Sequence, residues 1–164
     1  MMPFILFMSL LISLRLIEMV ISKRNERWLK AHGAVESGEA HYPFLISMHV
    51  LFMASLAIEY TLKPEHIFIL PLFITFLLLT IAKVIIGSSL GRYWTTKIYR
   101  IPGTPIIRKG VYKYFNHPSY LIVVIEIVVI PLMFHLYYTA IIFSILNLVI
   151  LSIRIRKENK ALND

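Results

Sequence analysis

The chain has 164 residues, of which 58% are hydrophobic, and its mean hydropathy of +0.73 lies outside the range of soluble domains, so we expect a single integral membrane domain over residues 1–164. The absence of cysteine excludes disulfides, thiolate metal sites and cysteine nucleophiles, and the scattered histidines form no ligand pair, so no metal is expected. The net charge of +8 is explained by basic connections that set the membrane topology and by attraction to anionic lipid. Nucleic acid binding is not expected, because no basic segment has the aromatic spacing of a stacking platform.

Three apolar runs in the first half of the chain are long enough to cross a bilayer. They cover residues 3–21, 43–61 and 66–86, each close to the ~20 residues that a spanning helix needs. The first run lacks the basic start and the small-residue cleavage site of a signal peptide, so we expect it to be retained as a helix.

A fourth apolar stretch, residues 118–151, is too long for one spanning helix. Its centre reads IPLMFHLYYTA, where Pro131 and His135 indicate a turn. A single helix kinked at Pro131 is the alternative, but it would be ~50 Å long. The sequence therefore favours a helical hairpin, 118–134 and 138–157, and an all-α membrane fold of about five transmembrane helices.

Lysine and arginine are concentrated in three segments, which fall at residues 23–30, 92–113 and 154–160, while the other connections hold only Lys63. Basic connections stay on the cytoplasmic side. We therefore expect a multi-pass protein of the cell membrane with its N-terminus outside, its C-terminus and longest loop in the cytoplasm, and His135 near the external surface.

The longest connection, residues 91–117, is too polar for lipid and too long for a simple link. Pro102, Gly103 and Pro105 forbid a continuous helix, although residues 111–115 are compatible with a short interfacial one. Because the segment has no acidic residue, it suits an anionic ligand. We expect a cytoplasmic cofactor-binding loop here, so that residues 1–90 form the acceptor side and 91–164 the cofactor-binding part.

The fourth helix is expected to begin at His117-Pro118, with Pro118 in the first turn and His117 near the N-cap. The free N–H groups of that turn suit a carboxylate or another anion. Asn116 adds hydrogen-bonding groups, and Tyr112 and Tyr120 add flat surfaces. The alternative interpretation is a capped helix with aromatic interface anchors.

A second polar group lies on the fifth helix, where Asn147, Leu151, Arg154 and Glu158 are spaced four, three and four and share one face. An interfacial Arg–Glu ion pair would explain part of this pattern. Helices four and five are antiparallel neighbours, however, so this face is predicted to meet His117 at the same membrane border.

Other polar residues of the apolar segments have two interpretations. Arg15 and Glu18 are compatible with an ion pair that locks helix packing, and Glu126 favours an interhelical partner over a substrate contact. Arg92, Trp94 and Thr96 are possible site residues, and the first two are candidates for substrate binding together with Glu126.

These segments carry a resemblance. RKGVYKYFNHPSY, an apolar hairpin and RIRKENKAL, within residues 90–162, resemble the C-terminal pattern of the isoprenylcysteine carboxyl methyltransferase family, in which G-x-Y-x-x-x-R-H-P-x-Y precedes the hairpin and an arginine followed by E-E-x-x-L comes after it. Asn116 and Asn159 stand where the family has an arginine and a second glutamate. The chain is most similar to the short bacterial branch, which includes alkylpyrone O-methyltransferases partnered with type III polyketide synthases.

The resemblance implies an S-adenosylmethionine-dependent O-methyltransferase acting on an enol or carboxylate of a small lipophilic acceptor. The similarity to the alkylpyrone O-methyltransferases further implies a polyketide synthase as the partner that supplies this acceptor. It implies cofactor binding by a group on the loop and the hairpin, comprising Tyr112, Asn116, His117, Pro118, Tyr120 and Glu158. It implies catalytic roles for Arg154 and Glu158. From their own positions in the sequence, the residues expected to contact the acceptor are Arg92, Trp94, Glu126, Asn147 and Arg154. The alternatives are an NADPH-dependent sterol-type membrane reductase, which shares the hairpin architecture but is larger, and a non-catalytic membrane scaffold subunit.

Overall fold

The computed structural model describes residues 1–37, 42–65, 67–104, 110–114 and 117–163. Within these ranges lie five α-helices, two short strands and two 3-10 turns. In chain order they are α1 (Met2–Ala31), β1 (Val35–Ser37), α2 (Tyr42–Leu62), α3 (Leu70–Leu90), the turn Gly91–Tyr93, β2 (Ile98–Arg100), the turn Gly110–Lys113, α4 (Pro118–Leu132) and α5 (Tyr137–Asn163).

Four helices are long and apolar enough to span a membrane, namely those within Met2–Ala31, Tyr42–Leu62, Leu70–Tyr93 and Tyr137–Arg156. The remaining helix, α4, is apolar but has 15 residues, which corresponds to ~22 Å against a hydrocarbon core of ~30 Å. It lies between α3 and α5 and is buried along most of its length. The predicted multi-pass, helical membrane fold is confirmed, with a central helix shorter than expected.

The predicted end of the first helix at residue 21 is wrong, because α1 continues to Ala31. The basic segment after residue 21 contains no glycine or proline before Gly33, whose φ of +78° follows the end of the helix. Lysine, arginine, glutamate and leucine all favour helix, so the backbone continues into water. At 30 residues, α1 is ~45 Å long and extends well beyond the hydrocarbon core.

The predicted hairpin of helices four and five is confirmed, and a single kinked helix is excluded. Pro131 lies in the last turn of α4, and its carbonyl accepts a hydrogen bond from the Leu136 N–H at 2.9 Å. His135 has a φ of +57° between the two helices, and its carbonyl accepts a hydrogen bond from Lys63. The chain therefore reverses within residues 133–136.

The long loop contains regular structure that the sequence did not indicate. β1 and β2 pair antiparallel, with Glu36 opposite Tyr99, so the connection after α1 is joined to the connection after α3. The expected interfacial helix at 111–115 is a 3-10 turn over Gly110–Lys113, and Phe115 lies outside the described residues. The fold is all-α in its membrane part, with a two-stranded ribbon at one end.

Aromatic residues fill the core at the opposite end of the bundle. Phe4 stacks on Tyr60 with ring centroids 3.8 Å apart, and Phe134 meets Phe4 edge to face at 5.1 Å. Phe76 is also fully buried against Phe7, with ring centroids 5.2 Å apart. This packing fills the end of the bundle that carries the α4–α5 turn with aromatic side chains.

Candidate functional site

The start of α4 has the geometry expected from His117-Pro118. His117 occupies the N-cap position with a φ of −133°, and Pro118 is buried in the first turn. The His117 ring stacks on Tyr120, with ring centroids 5.2 Å apart and planes inclined by 6°. Asn116, the other predicted residue of this group, lies outside the described residues.

The two predicted polar groups meet, as the hairpin required. The Tyr120 hydroxyl donates a hydrogen bond to Glu158 and accepts one from Arg154 Nε at 2.8 Å. Glu158 Oε2 is also 3.6 Å from His117 Nδ1. Residues from the first turn of α4 and the last turns of α5 therefore form one connected polar cluster.

Arg154 links this cluster to the loop. Its Nη2 donates a hydrogen bond of 2.6 Å to the Thr96 carbonyl, and its guanidinium carbon lies 5.2 Å from the centre of the Tyr120 ring. The guanidinium plane is thus fixed at two points, one on α4 and one on the backbone of the loop. A side chain held in this way keeps its remaining N–H groups in a defined direction.

A polar cavity of about 140 Å³ opens beside the cluster. Its walls come from the loop, the 3-10 turn at 110–113 and the facing ends of α4 and α5. The lining residues are Tyr93, Trp94, Thr95, Lys97, Ile98, Tyr99, Arg100, Tyr112, His117, Ser119, Tyr120, Arg154 and Glu158. It combines one carboxylate, two basic side chains of the ribbon region and several aromatic rings.

Tyr112 forms one wall of the polar cavity from the 3-10 turn. Its hydroxyl oxygen lies 3.0 Å from Ser119 Oγ, at hydrogen-bond distance. Burial raises the pKa of Tyr112, and the nearby Glu158 acts in the same direction although the Ser119 hydrogen bond opposes it. The phenol therefore stays protonated at neutral pH and offers its ring as a flat surface.

A second cavity of about 210 Å³ lies deeper between the helices. It is largely apolar, with walls from all five helices and from Trp94, Thr95 and Thr96 of the loop; Leu45, Ile46, Val50, Met53, Val123, Ile150 and Leu151 supply apolar surface. Both halves of the chain contribute to it. Five residues line both cavities: Trp94, Thr95, Ser119, Tyr120 and Arg154.

Four charged side chains form a network at one wall of the apolar cavity. Arg15 bonds Glu18 at 2.8 Å and Glu126 at 2.9 Å, which confirms both the predicted Arg15–Glu18 pair and an interhelical partner for Glu126. Lys83 completes the network, at 2.7 Å from Glu18 and 3.5 Å from Glu126. The two positive and two negative charges cancel, so the network as a whole is neutral within the bundle.

Asn147 and Arg92 have very different surroundings. Asn147 is 2% exposed and lines the apolar cavity, and its Nδ2 has no hydrogen-bond partner. Arg92 lies outside both cavities and stacks over the Trp28 ring, 5.6 Å from the ring centre. Trp94 lines both cavities and also covers Gly87, where an added Cβ would lie 3.5 Å from the indole.

Two side chains of α1 support Thr96 and its neighbour Trp94, and sequence reasoning did not identify them. Ser22 Oγ lies 2.8 Å from Thr96 Oγ1 and accepts a hydrogen bond from the Thr96 N–H at 3.0 Å, while Asn25 Nδ2 donates to the Trp94 carbonyl at 2.7 Å. Both supporting side chains are on α1, beyond its predicted end. Had the helix been extended, Ser22 and Asn25 would have fallen three residues apart on one polar face.

Comparison with known proteins gives one family match and two similar bacterial proteins. Residues 70–164 match the sequence model of the "Isoprenylcysteine carboxyl methyltransferase (ICMT) family". The chain is 43% identical over 163 residues to the "Uncharacterized protein YpbQ" of Bacillus subtilis (strain 168), covering 98% of this chain and 97% of that one. It is 31% identical over 157 residues to an "Uncharacterized protein" of Haemophilus influenzae, covering 93% and 91%. No solved structure matches the chain significantly.

Proposed function

The chain belongs to the isoprenylcysteine carboxyl methyltransferase family, and from this premise we propose that it is an S-adenosylmethionine-dependent O-methyltransferase of lipophilic acceptors. The family implies a membrane methyltransferase. The cofactor, the oxygen acceptor and the roles of individual residues are our proposal. An alkylpyrone, delivered by a polyketide synthase, is one acceptor of the required chemistry.

The observation that carries the proposal is the shared wall between the two cavities. A polar cavity on the loop side and an apolar cavity among the helices meet at Tyr120 and Arg154. A transfer between a water-soluble donor and a membrane-soluble acceptor needs two such compartments with one common boundary. The reacting atoms would meet at that boundary, where the polar and apolar surfaces change over.

The donor set of the polar cavity fits S-adenosylmethionine. Glu158 suits the ammonium of the amino acid part, the basic side chains of Lys97 and Arg100 suit its carboxylate, and the rings of Tyr112 and Tyr99 suit the adenine. When bound, this cofactor supplies a methyl group that is already activated by its positive sulfur, so no metal or covalent intermediate is required.

Arg154 is proposed to hold the acceptor oxygen. Its guanidinium is fixed by Tyr120 and Thr96, and the residue lines the apolar cavity as well as the polar one. An enolate or carboxylate beside it would be stabilised as the anion, so a strong base is unnecessary. Alignment of the oxygen with the methyl group would supply several kcal/mol of the rate enhancement.

The direct test uses purified protein, S-adenosylmethionine with a labelled methyl group, and the lipid extract of the source cell. We expect label in an organic-soluble product, with inhibition by S-adenosylhomocysteine. Mild alkali then separates the acceptor classes, because a methyl ester releases labelled methanol whereas an enol ether keeps its label.

Titration with S-adenosylhomocysteine and NADPH separates the competing functions. We expect the folded protein to bind the first and not the second. Binding of NADPH alone would replace the proposal with a reductase, and binding of neither ligand would favour a scaffold subunit.

A further inference from the structure

Asn147 is an exception among the buried polar side chains of the described residues. The group comprises Ser22, Asn25, Glu126, Thr139 and Asn147. The first four have hydrogen-bond or ion-pair partners in the protein, such as Glu126 with Arg15 and Thr139 with Ser55. The Asn147 Nδ2 is buried and has no hydrogen-bond partner in the described part of the protein.

Such an amide destabilises the protein unless a partner is supplied. Buried donors in native structures are nearly always paired, and an unpaired one calls for an explanation. Asn147 lies in the interior of α5, so it caps no helix end, and it takes part in no ion pair. Leucine at this position would keep the volume and remove the penalty.

The surroundings of Asn147 indicate what the partner is. The residue lines the largely apolar cavity together with Met53, Val123 and Ile150, which would not stabilise a charge. The charged side chains at one wall of this cavity, Arg15, Glu18 and Lys83, already neutralise one another and Glu126. Asn147 precedes Arg154 by seven residues on the same helix, which is about two turns or ~10 Å along the axis. A molecule held by Arg154 at its reacting oxygen would therefore extend past Asn147.

We propose that Asn147 donates a hydrogen bond to a second, neutral oxygen of the acceptor, about two helical turns deeper in the membrane than the oxygen that Arg154 holds. This rests on the proposed function and narrows its substrate class to acceptors with a carbonyl, ether or hydroxyl group inside an otherwise apolar body. Asn147 is thus a specificity residue. A plain hydrocarbon chain leaves its amide unpaired, and an acceptor with the correct second oxygen satisfies it.

The test compares myristic acid with oxo-myristic acids that carry the carbonyl near the head, in the middle or near the tail. Binding is measured by the thermal midpoint of the purified protein at increasing ligand, so no turnover is needed. We expect one oxo position to bind about tenfold more tightly than myristic acid, which corresponds to about 1.4 kcal/mol.

Asn147→Leu should remove this preference while keeping or improving the affinity for myristic acid. Ser152→Leu is the matched control, because it replaces a lipid-facing polar side chain of the same helix and should keep the preference. Equal binding of all the acids to the wild-type protein would overturn the inference, as would a preference that persists in Asn147→Leu. If the variant fails to fold, the wild-type comparison decides alone.

Failure of the proposed function would look different. A wild-type protein that prefers one oxo acid but neither binds S-adenosylhomocysteine nor transfers a methyl group would refute the methyltransferase and keep the Asn147 contact. Methyl transfer without any oxo preference would do the reverse.

Discussion

The Tyr120 hydroxyl has one proton to donate, and it donates that proton to Glu158 while accepting a hydrogen bond from Arg154. Each of the three side chains therefore fixes the direction of the other two. Because charge-assisted hydrogen bonds are stronger than neutral ones, this arrangement holds its geometry without further support from solvent. The two charged partners make different hydrogen bonds to the hydroxyl, because Glu158 accepts and Arg154 donates, and their roles can therefore be separated by mutation.

Arg154→Lys is expected to lower kcat by about 10- to 100-fold, equivalent to ~1.5–3 kcal/mol for one lost charge-assisted hydrogen bond. Lysine keeps the charge but cannot bond Tyr120 and the Thr96 carbonyl with one planar group. Steady-state methyl transfer and separate titration with S-adenosylhomocysteine would measure this, and cofactor affinity should change much less. Full turnover in the variant would make the guanidinium an interfacial anchor only.

Glu158→Gln provides the reciprocal comparison. We expect about tenfold weaker cofactor binding with most of the saturated turnover retained, because glutamine can still accept the Tyr120 hydrogen bond but loses the charge proposed to hold the ammonium. An equal loss of turnover in both variants would contradict the proposed division between cofactor and acceptor contacts.

At the residue scale, helical spacing was sufficient to bring His117, Arg154 and Glu158 together, because two antiparallel helices leave few alternatives. Spacing could not place Thr96, whose partners are on α1 and α5 and whose own segment has no regular period. It also could not show that the Asn147 amide is unpaired, since that depends on every side chain around it.

Among the elements, the ribbon of β1 and β2 positions the outer wall of the polar cavity. Glu36 accepts hydrogen bonds from Lys97 at 2.6 Å and from Tyr99 at 2.7 Å. Burial alone would raise the pKa of Glu36, but these contacts outweigh it and hold the pKa below its ordinary value. The hydrogen bond to Glu36 likewise raises the pKa of Lys97.

Both pKa shifts predict a ribbon that is most stable around neutral pH. A lowered carboxyl pKa contributes stability above its unfolded value of ~4.3, which is lost as the pH falls through the folded pKa. A raised lysine pKa contributes stability below its unfolded value of ~10.4, and this stability is lost as the pH rises through the folded pKa. Hydrogen exchange of the β1 amides, corrected for intrinsic rates, should show protection that decreases at acid pH.

Lys97→Met is the control for the ribbon prediction. At neutral pH it should lower the free energy of local opening of the ribbon, measured by hydrogen exchange, by up to ~1 kcal/mol, because Glu36 loses its main partner. The protection should also change less as the pH is lowered. An unchanged acid profile in this variant would show that the pair does not stabilise the ribbon.

The 3-10 turn that carries Tyr112 depends on a close approach to α3. Gly110 has a φ of +57°, and a Cβ there would lie 2.7 Å from Ser89 Oγ. Gly103 also has a positive φ, +76°, but open space around it. Gly110→Ala and Gly103→Ala should both lower the stability of the fold by ~1 kcal/mol through the backbone. Gly110→Ala should in addition displace Tyr112 and therefore weaken cofactor binding.

Titration of the two glycine variants with S-adenosylhomocysteine would test the displacement of Tyr112. Combining Gly110→Ala with Ser89→Gly should restore part of the affinity, because it removes the hydroxyl group that the new methyl group meets. Equal affinities for the two single variants would show that the approach to α3 does not position the turn.

At the element scale, the α4–α5 hairpin could be predicted because its length exceeded one membrane crossing and Pro131 marked the border. The ribbon could not, since strands of three residues give no alternating pattern and their partners are far apart in the chain. The end of α1 was misplaced because hydropathy reports where the membrane ends, whereas helix propensity continues into water.

Across the whole molecule, the described parts of the three basic segments occupy the same end of the bundle. Ser22 of α1, Thr96 of the loop and Arg154 of α5 are in contact there, while the α4–α5 turn and Lys63 lie at the aromatic end. We propose that the basic end is cytoplasmic and that the N-terminus is outside. Charge distribution supports this orientation, and the helices alone are compatible with either one.

The orientation can be tested by single-cysteine labelling, because the chain has no cysteine of its own. Tyr138→Cys, at a side chain that is 75% exposed near the turn, should react with an impermeant reagent in intact cells. Arg24→Cys, on the exposed basic end of α1, should react only after permeabilisation. The reverse pattern would invert the topology and place the polar cavity outside.

The neutral network inside the bundle also constrains how the protein is made. α1 enters the membrane with Arg15 and Glu18 already able to neutralise each other, but Lys83 is the sole charge of α3 and Glu126 the sole charge of α4. Inserting each alone would cost ~2.5–3.5 kcal/mol at the membrane centre. Since Glu18 contacts both Arg15 and Lys83, α1 and α3 together contribute one unbalanced positive charge to the network, and the network becomes neutral only when Glu126 of α4 packs against them.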